Sequence, residues 1–361
     1  MLKTLTEVGR RFRLPGEIIG YDVINTGNIN STIKVTYQMD GIEKKYVFQK
    51  INTYVFKNPE QIMQNIDKVT SYIRSVNEGM ISLHFHHTDE GKNFALDSQG
   101  GFWRVMNCID AITFDSCDDP AIIEGTGRAF GEFQVQLADF DGSVLYETIP
   151  DFHNTVKRLN TLFCHVEEDP MGRASEAKAE IEWLSSVRDK AGELWRHYEN
   201  GEFPVRVTHN DTKCNNVLFD RETYLPLVVV DLDTVMPGMA MYDFGDAVRF
   251  IANTAEEDEP DLSKVSLDIG KFRAFCRGYV GAVGKTLSEA EIGFMALGTF
   301  SITVELASRF LDDYLTGDAY FRIKYPGHNL VRAKSQIQLA KDILGKMDAL
   351  NKIVAEFAEA K

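Results

Sequence analysis

Polar and apolar positions alternate over most of the first 110 residues, as they do in β-strands. Runs rich in β-branched and aromatic side chains are separated by turn-forming segments, of which Asp40-Gly41 is the tightest. Residues 59–77 are the exception, because their apolar side chains recur with the spacing of one helical face. The predicted strands are residues 18–24, 31–38, 45–51, 93–97 and 102–106.

From Pro120 onward the apolar spacing becomes helical, except in a strand-rich stretch at residues 205–230. This layout predicts an α+β protein of two lobes. The N-terminal lobe, residues 1–109, should be small and β-rich, and the C-terminal lobe, residues 110–361, should be large and mainly helical. The predicted helices of the second lobe are residues 121–140, 152–165, 175–199, 264–283, 287–316 and 330–358.

The strand-rich stretch carries the most informative side chains. Residues 208–220 are THNDTKCNNVLFD, an H-x-D-x-K-x-x-N pattern followed by an apolar strand, and a second apolar strand ends at Asp231 and Asp233. Phosphoryl transfer requires a base for the acceptor hydroxyl, oxygen ligands for Mg²⁺ and a cation for the γ-phosphate. The pattern supplies these groups in the order that kinases use. The alternative is a polar turn between two strands.

Each side chain of the pattern has a predicted role. Asp211 is the predicted catalytic base and Lys213 the γ-phosphate contact, whereas Asn216 and Asp231 are the predicted Mg²⁺ ligands. Asp233 should share a face with Asp231 if the chain is extended there. It is therefore a candidate metal ligand or sugar contact, with a solvated or capping carboxylate as the alternative.

The chain resembles the aminoglycoside phosphotransferase/choline kinase superfamily, and within it the bacterial N-acetylhexosamine 1-kinases. The resemblance rests on VTHNDTKCNNVLFD, VVVDLDTVMPG and YDFGDAVRF, and it extends to INTGNINSTIKV, RFLDDYLTGDAYF and KYPGHNLVRAKSQIQL. It implies a two-lobed protein-kinase-like fold with ATP and Mg²⁺ between the lobes. It also implies that Asp243 is structural, accepting hydrogen bonds from the backbone of the catalytic loop, which His209 should brace.

The resemblance implies contacts for both substrates. The loop between the first two strands should face the ATP phosphates, although a plain hairpin is the alternative. Arg309 and Asp313 are four residues apart, so a helical salt bridge is the alternative for them. The residues expected at the nucleotide are Thr26, Gly27, Gln49, Asn107, Cys108 and Ile109. Those expected at the acceptor are Asn28, Asn30, Asp211, Arg309, Asp313 and Tyr320.

Two positions depart from the family pattern. Asn28 stands where the N-acetylhexosamine kinases have a histidine, which leaves the acceptor preference open. Gln49 stands where the third strand usually has a phosphate-binding lysine, and Lys50 points to the opposite face of the strand. The site should therefore depend more on Mg²⁺ and on Lys213.

Charge and cysteine content narrow the setting. The chain has 39 basic and 54 acidic residues, a net charge of −15, which argues against nucleic-acid or anionic-membrane partners. Its five cysteines are scattered without a C-x-x-C pair, as expected in a reducing compartment. Neither a secretory signal nor an apolar run of membrane-spanning length is evident. We expect a cytoplasmic protein, and the sequence leaves its oligomeric state open.

These observations lead to one functional hypothesis and its alternatives. The hypothesis is an ATP- and Mg²⁺-dependent kinase that phosphorylates the anomeric hydroxyl of N-acetylglucosamine or N-acetylgalactosamine. One alternative is a kinase of the same superfamily for an aminoglycoside, choline or another sugar. Another is an inactive nucleotide-binding protein, suggested by Gln49. The presence of Asp211, Asn216 and Asp231 argues against an inactive protein, since a pure binder has no need of a base.

Overall fold

The computed structural model describes residues 1–24, 29–77 and 79–359. Its N-terminal strands are β1 (Glu17–Ile24), β2 (Ser31–Met39), β3 (Ile42–Lys50), β4 (Ala95–Leu96) and β5 (Phe102–Asn107). In the described part of the chain these five strands form one antiparallel sheet in the order β1-β2-β3-β5-β4. The predicted strands are therefore confirmed, although the strand predicted at 93–97 is shorter.

The two faces of this sheet have different partners. Helix α1 (Leu2–Arg11), which we did not predict, packs Leu5 and Val8 against one face, where Phe48 and Val105 point. Gln49 follows Phe48 on β3, and Arg104 precedes Val105 on β5. Both side chains therefore point to the other face of the sheet. Helix α2 (Pro59–Val76) and the C-terminal lobe lie on that side. Polar side chains of the sheet thus face the junction of the lobes.

The C-terminal lobe is mainly helical, as predicted. The predicted helices at 175–199 and 287–316 are each divided into two. The helices Pro120–Gln136 and Ile269–Val283 approach closely because glycines lie at their contact, and a Cβ atom at Gly278 would lie 2.0 Å from the carbonyl oxygen of Glu124. The helices are α3 (Pro120–Gln136), α4 (Thr155–Glu168), α5 (Lys178–Ala191), α6 (Glu193–Glu199), α7 (Ala240–Ile251), α8 (Ile269–Val283), α9 (Glu289–Gly293), α10 (Met295–Leu315) and α11 (His328–Glu359).

Two short antiparallel strand pairs interrupt the helices. They are β6 (Arg206–Thr208) with β9 (Met236–Gly238), and β7 (Val217–Phe219) with β8 (Pro226–Val229). The loop at residues 209–216 joins β6 to β7, and the loop at 230–235 joins β8 to β9. Strands β6 and β7 flank the first loop, and strands β8 and β9 flank the second. Because β6 pairs with β9 and β7 with β8, the two loops lie next to each other.

The connection between the lobes leaves β5 at Asn107 and enters α3 at Pro120. The predicted lobe boundary, between residues 109 and 110, falls within this connection. Among the described helices, none is both long enough and apolar enough to cross a lipid bilayer.

Candidate active site

The loop at residues 209–216, the catalytic loop, is held from beneath by the first turn of α7. One carboxylate oxygen of Asp243 accepts the backbone N–H of His209 and the other accepts that of Asn210, both at 2.8 Å. Burial raises the pKa of Asp243 to about 6. Asn210 has φ 64°, in the left-handed region that Asn tolerates better than most residues. Asp243 therefore uses both oxygens to shape the loop backbone.

His209 is fixed inside the same loop. Its Nδ1 accepts the backbone N–H of Asp211 at 3.3 Å, so Nε2 carries the proton and donates to the carbonyl oxygen of Val230 at 2.9 Å. The side chain is fully buried and lies edge-on to Phe130 and Phe133. Because both ring nitrogens are used, His209 braces the two loops against each other and is not placed to exchange protons with a substrate.

The carboxylate of Asp211 is the point where the polar side chains of the loop converge. Lys213 Nζ lies 2.7 Å from Asp211 Oδ1, and the amide of Asn216 donates to the Asp211 carbonyl at 2.8 Å and to Oδ2 at 3.2 Å. Burial by itself would lower the pKa of Lys213, but the charge of Asp211 and its hydrogen bond raise it above the ordinary value. Lys213 is therefore a firmly protonated cation beside the predicted base.

Asp231 stands at the start of the neighbouring loop with φ 60°, again in the left-handed region. Its side chain is accessible to solvent. Nevertheless the surrounding protein, followed by the negative charge of Asp233, raises its pKa to about 6. The charge of Asp211 acts in the same direction, which puts Asp231 within electrostatic reach of the catalytic loop.

The oxygens around Asp211 suit a hard cation. Among the described residues, neither the Asp231 carboxylate nor Asn216 Oδ1 accepts a side-chain hydrogen bond, since Asn216 uses its NH₂ group toward Asp211. In the same part of the chain, no three His, Cys, Asp or Glu side chains form a complete metal cluster. Mg²⁺ fits such an incomplete set, because it retains waters and takes further oxygens from substrate phosphates.

Asp233 differs from its predicted role. The chain is not extended after Asp231 but forms a 3₁₀ turn at Leu232–Thr234, so the strand alternation on which the prediction relied does not apply here. Oδ1 of Asp233 pairs with Arg104, and Oδ2 accepts the amide of Asn30 at 2.6 Å. The side chain is 4% exposed. In this structure Asp233 therefore faces the N-terminal lobe, with both oxygens engaged.

In the N-terminal lobe, the predicted site residues Asn30 and Gln49 also have their side chains hydrogen-bonded within the protein. Asn30 Oδ1 accepts the backbone N–H of Asn52 at 3.0 Å. Gln49 donates to Thr32 Oγ1 at 3.0 Å and accepts from Arg104 Nε at 2.8 Å, so its amide holds the sheet together. The remaining loop positions, Thr26, Gly27 and Asn28, lie outside the described residues.

Residues 107–109, which we predicted at the nucleotide, follow strand β5 and differ in whether their backbone N–H groups are used. The N–H of Asn107 donates to His84 at 3.0 Å, and that of Cys108 donates to Lys45 at 3.4 Å. Of these three predicted positions, only Ile109 has an N–H without a hydrogen-bond acceptor in the part of the chain that the structure describes. Of the three residues predicted at the nucleotide here, Ile109 is therefore the one whose backbone N–H is left available to a ligand.

Two of the predicted acceptor residues, Arg309 and Tyr320, belong to an aromatic cluster on the C-terminal lobe. The guanidinium of Arg309 lies 5.6 Å from the ring centroid of Phe152, 5.7 Å from that of Tyr320 and 5.5 Å from that of Phe321. Asp313 is 5% exposed and accepts the backbone N–H groups of Tyr320 and Phe321 at 2.8 and 2.9 Å. Asp313 therefore positions the loop that carries Tyr320, instead of contacting an acceptor or pairing with Arg309.

Sequence reasoning missed two supports of the site. Asp246 accepts the backbone N–H of Thr212 at 3.1 Å and is paired with Arg249 at 2.9 Å, both side chains being buried. Its signal was the spacing of three residues from Asp243 on one helix. Arg104 was the other omission, and it is found only from the pairing of strands β3 and β5, which places it opposite Gln49.

Comparison with known proteins gives one matching family and several solved structures of similar fold. The model of a family described as the phosphotransferase enzyme family (APH) matches residues 26–277. Similar solved structures include a microcompartment-associated aminopropanol kinase, with a TM-score of 0.62, 14% identity and 97% of each chain covered. An aminoglycoside phosphotransferase from Alicyclobacillus acidocaldarius has a TM-score of 0.60 and 12% identity, with 97% of this chain and 96% of that chain covered.

A choline kinase from Cryptosporidium parvum has a TM-score of 0.55 and 14% identity, with 95% of this chain and 93% of that chain covered. At these identities the likeness shows the fold alone. The fold is protein-kinase-like, with a β-sheet N-terminal lobe and a helical C-terminal lobe, as predicted.

Proposed function

This chain belongs to the phosphotransferase enzyme family, and we propose that it is a Mg²⁺-dependent kinase that transfers the γ-phosphoryl group of ATP to the anomeric hydroxyl of an N-acetylhexosamine. The observation that carries phosphoryl transfer is the contact of the Asp211 carboxylate with both Lys213 and Asn216. Asp231 follows Val230, whose carbonyl oxygen accepts a hydrogen bond from His209 of the catalytic loop at 2.9 Å, and it would complete the set of base, cation and oxygen ligands.

The residues divide the chemistry among themselves. Asp211 orients the acceptor hydroxyl and accepts its proton, and a hemiacetal hydroxyl is acidic enough for a carboxylate to suffice. Lys213 neutralises charge on the transferring group. Asn216 and Asp231 would hold Mg²⁺, which supplies positive charge at the phosphate oxygens. The fixed catalytic loop keeps these groups in place, so little reorganisation is needed during transfer.

The charge at the aromatic cluster supports a neutral acceptor. Arg309 already occupies the faces of three rings, and its positive charge, after burial, contributes to lowering the pKa of the neighbouring Arg158. Two nearby carboxylates are turned inward, because Glu305 accepts a hydrogen bond from the Thr155 hydroxyl at 2.8 Å and Asp313 accepts from the backbone N–H of Tyr320. A cationic choline or aminoglycoside would meet repulsion here, whereas a sugar hydroxyl can accept from Arg309.

The aromatic cluster is connected to the catalytic loop. His153 follows Phe152 and lies 3.0 Å from Glu305, and its ring centroid is 5.6 Å from that of Tyr242, the residue before Asp243. This proximity supports an acceptor bound between Arg309 and Asp211.

The lobe boundary at residues 109 and 110 and a cytoplasmic location belong to the same proposal and stay predictions.

An acceptor screen tests the proposal. The purified protein is incubated with ATP and Mg²⁺ and, separately, with N-acetylglucosamine, N-acetylgalactosamine, glucose, choline, ethanolamine and kanamycin, and ADP release is followed. We expect activity on the N-acetylhexosamines, weaker activity on the plain hexose and none on the cationic acceptors. Proton and phosphorus NMR should show coupling between the phosphate and the anomeric proton. A phosphate on a primary hydroxyl or on an amino alcohol would disprove the anomeric kinase.

A variant pair then tests the acceptor side. Arg309→Ala should raise the KM for the sugar far more than the KM for ATP, since the arginine is assigned to acceptor binding. Arg188→Ala is the matched control, because Arg188 also lies over an aromatic ring, Phe163 at 5.1 Å, but on helices α5 and α4. Equal changes in the KM for both substrates in Arg309→Ala would remove it from the acceptor site.

A further inference from the structure

Arg104 is a buried cation at the junction of the lobes. It projects from β5, is 1% exposed, and donates through Nε to Gln49 at 2.8 Å. Its Nη1 pairs with Asp233, and its guanidinium lies 5.6 Å from the ring centroid of Phe85. Removing an arginine this completely from water is costly unless its charge is compensated. Asp233 provides that compensation from the other lobe.

The contact links the sheet to the loop that carries Asp231. Asp233 lies in the turn at Leu232–Thr234, two residues beyond Asp231. Its second carboxylate oxygen accepts a hydrogen bond from the side-chain amide of Asn30, the residue before strand β2. The carboxylate thus receives one donor from each of two separate parts of the N-terminal lobe. The same loop is tied to the catalytic loop, because Thr234 Oγ1 donates to the carbonyl oxygen of His209 at 2.6 Å.

The third strand lacks the cation that the sequence resemblance led us to expect. Gln49 stands at that position, and Arg104 is its direct partner across the β3–β5 ladder. Helix α2 presents Met63 to the guanidinium, with its sulfur 3.8 Å from Nη1. Asp67, an acidic residue of the same helix, pairs with His87 at 3.1 Å. The buried cation at the lobe junction is therefore Arg104 of β5 and not a residue of β3. Its carboxylate partner is Asp233 of the loop at 230–235 and not a residue of α2.

We propose that Arg104 is a positioning residue for phosphoryl transfer, which holds the loop containing Asp231 against the N-terminal lobe through Asp233. The inference rests on the proposed function only in taking Asp231 as a ligand of the nucleotide-bound metal. Arg104 itself contacts neither substrate in this scheme. Its charge replaces, from strand β5, a charge that strand β3 lacks.

Three variants separate charge from shape. Arg104→Met removes the charge and keeps an unbranched side chain, and Arg104→Lys keeps the charge. The double variant Gln49→Lys with Arg104→Met moves the cation to the neighbouring strand, opposite its original position. Lys50→Met is the matched control. Lys50 follows Gln49 on strand β3, and its side chain is a cation on the face that points away from the lobe junction.

Two measurements do not require turnover. Amide hydrogen exchange of the ligand-free protein reports the mobility of residues 231–235, and calorimetry reports the affinity for ADP with and without Mg²⁺. For Arg104→Met we expect faster exchange confined to residues 231–235 and about a tenfold loss of Mg²⁺-dependent ADP affinity, the size seen for outer partners of metal ligands. The sugar KM should not change. The charge-moving double variant should recover most of the affinity, whereas Lys50→Met should resemble the wild type.

The outcomes decide between a positioning role and a purely structural one. If Arg104→Met keeps the wild-type Mg²⁺-dependent affinity, or if exchange increases equally throughout the C-terminal lobe, the inference is wrong. If Arg104→Met fails to fold, Arg104→Lys and the double variant decide, because both leave Asp233 with a partner; both should fold and bind Mg²⁺ and ADP. A wild-type protein that binds these ligands but phosphorylates no sugar would contradict the proposed acceptor and leave this inference standing.

Discussion

Replacing Asp211 by Asn gives the most direct test of the catalytic assignment. The substitution preserves the size of the side chain and one oxygen, but removes the negative charge that Lys213 contacts at 2.7 Å. It also leaves the loop backbone untouched, because Asp243 and His209 hold the loop through other atoms. Whatever activity is lost can therefore be assigned to the proton acceptor and not to a collapsed loop.

The structure allows the effect on chemistry to be compared with the effect on stability. General-base assistance contributes roughly 10²–10⁴ in rate, which at about 1.36 kcal/mol per tenfold is about 3–5 kcal/mol in the barrier. The pair with Lys213 is about a third exposed on each side, so solvent screens it and its loss should change stability by no more than about 1 kcal/mol. The rate and the stability should thus change by clearly different amounts.

The assay combines turnover, ATP binding and urea unfolding on one preparation. We expect kcat to fall by about 10²–10⁴, with ATP affinity within a few fold of the wild type and the unfolding midpoint little changed. Asp118→Asn is the control, since Asp118 is an exposed aspartate paired with Lys271 away from the catalytic loop. Near-normal turnover by Asp211→Asn would refute the base assignment. A large loss of stability would instead mean that the pair with Lys213 is structural.

Two further predictions concern the metal and the helix packing. Asp231→Ala and Asn216→Ala should both raise the Mg²⁺ concentration needed for half-maximal ADP binding, Asp231→Ala more so because it also deletes a charge; if folded Asp243→Ala showed this defect and Asp231→Ala did not, the assignment of the two carboxylates would be reversed. In urea unfolding, Gly278→Ala should destabilise the protein by about 1–3 kcal/mol, because its Cβ would collide with helix α3. Gly281→Ala on the same helix, where a Cβ meets nothing within 4 Å, should be neutral or stabilising by up to about 1 kcal/mol, and a shared sign would contradict this reasoning.

The elements that could be predicted are those whose signal is local. The strands around Asp40-Gly41 follow from alternation and a turn, and both can be recognised within a few residues. Helix α1 escaped prediction even though Leu2, Leu5 and Val8 recur at helical spacing. The breaks between α5 and α6 and between α9 and α10 were missed because apolar periodicity continues across them.

The catalytic loop could be predicted for the same reason. Asp211, Lys213 and Asn216 lie within six residues of one another, and their contacts are made within that loop. By contrast, Arg104 and Asp233 are 129 residues apart, and the pair forms only because the sheet and the loop at 230–235 meet across the two lobes. No periodicity in either segment could have shown that contact.

Asp233 shows how one local assumption changes a functional conclusion. An extended chain would have directed Asp231 and Asp233 to one face, and two carboxylates side by side would have suggested a shared metal site. After the left-handed Asp231 the chain turns, and Asp233 is held by Arg104 and Asn30 of the N-terminal lobe while Asp231 is not. A carboxylate held by donors from the N-terminal lobe restrains the position of the loop, whereas one left without donors is available to a cation. Within this loop, the separation of these two tasks depends on the backbone conformation at Asp231, since the two side chains are chemically identical.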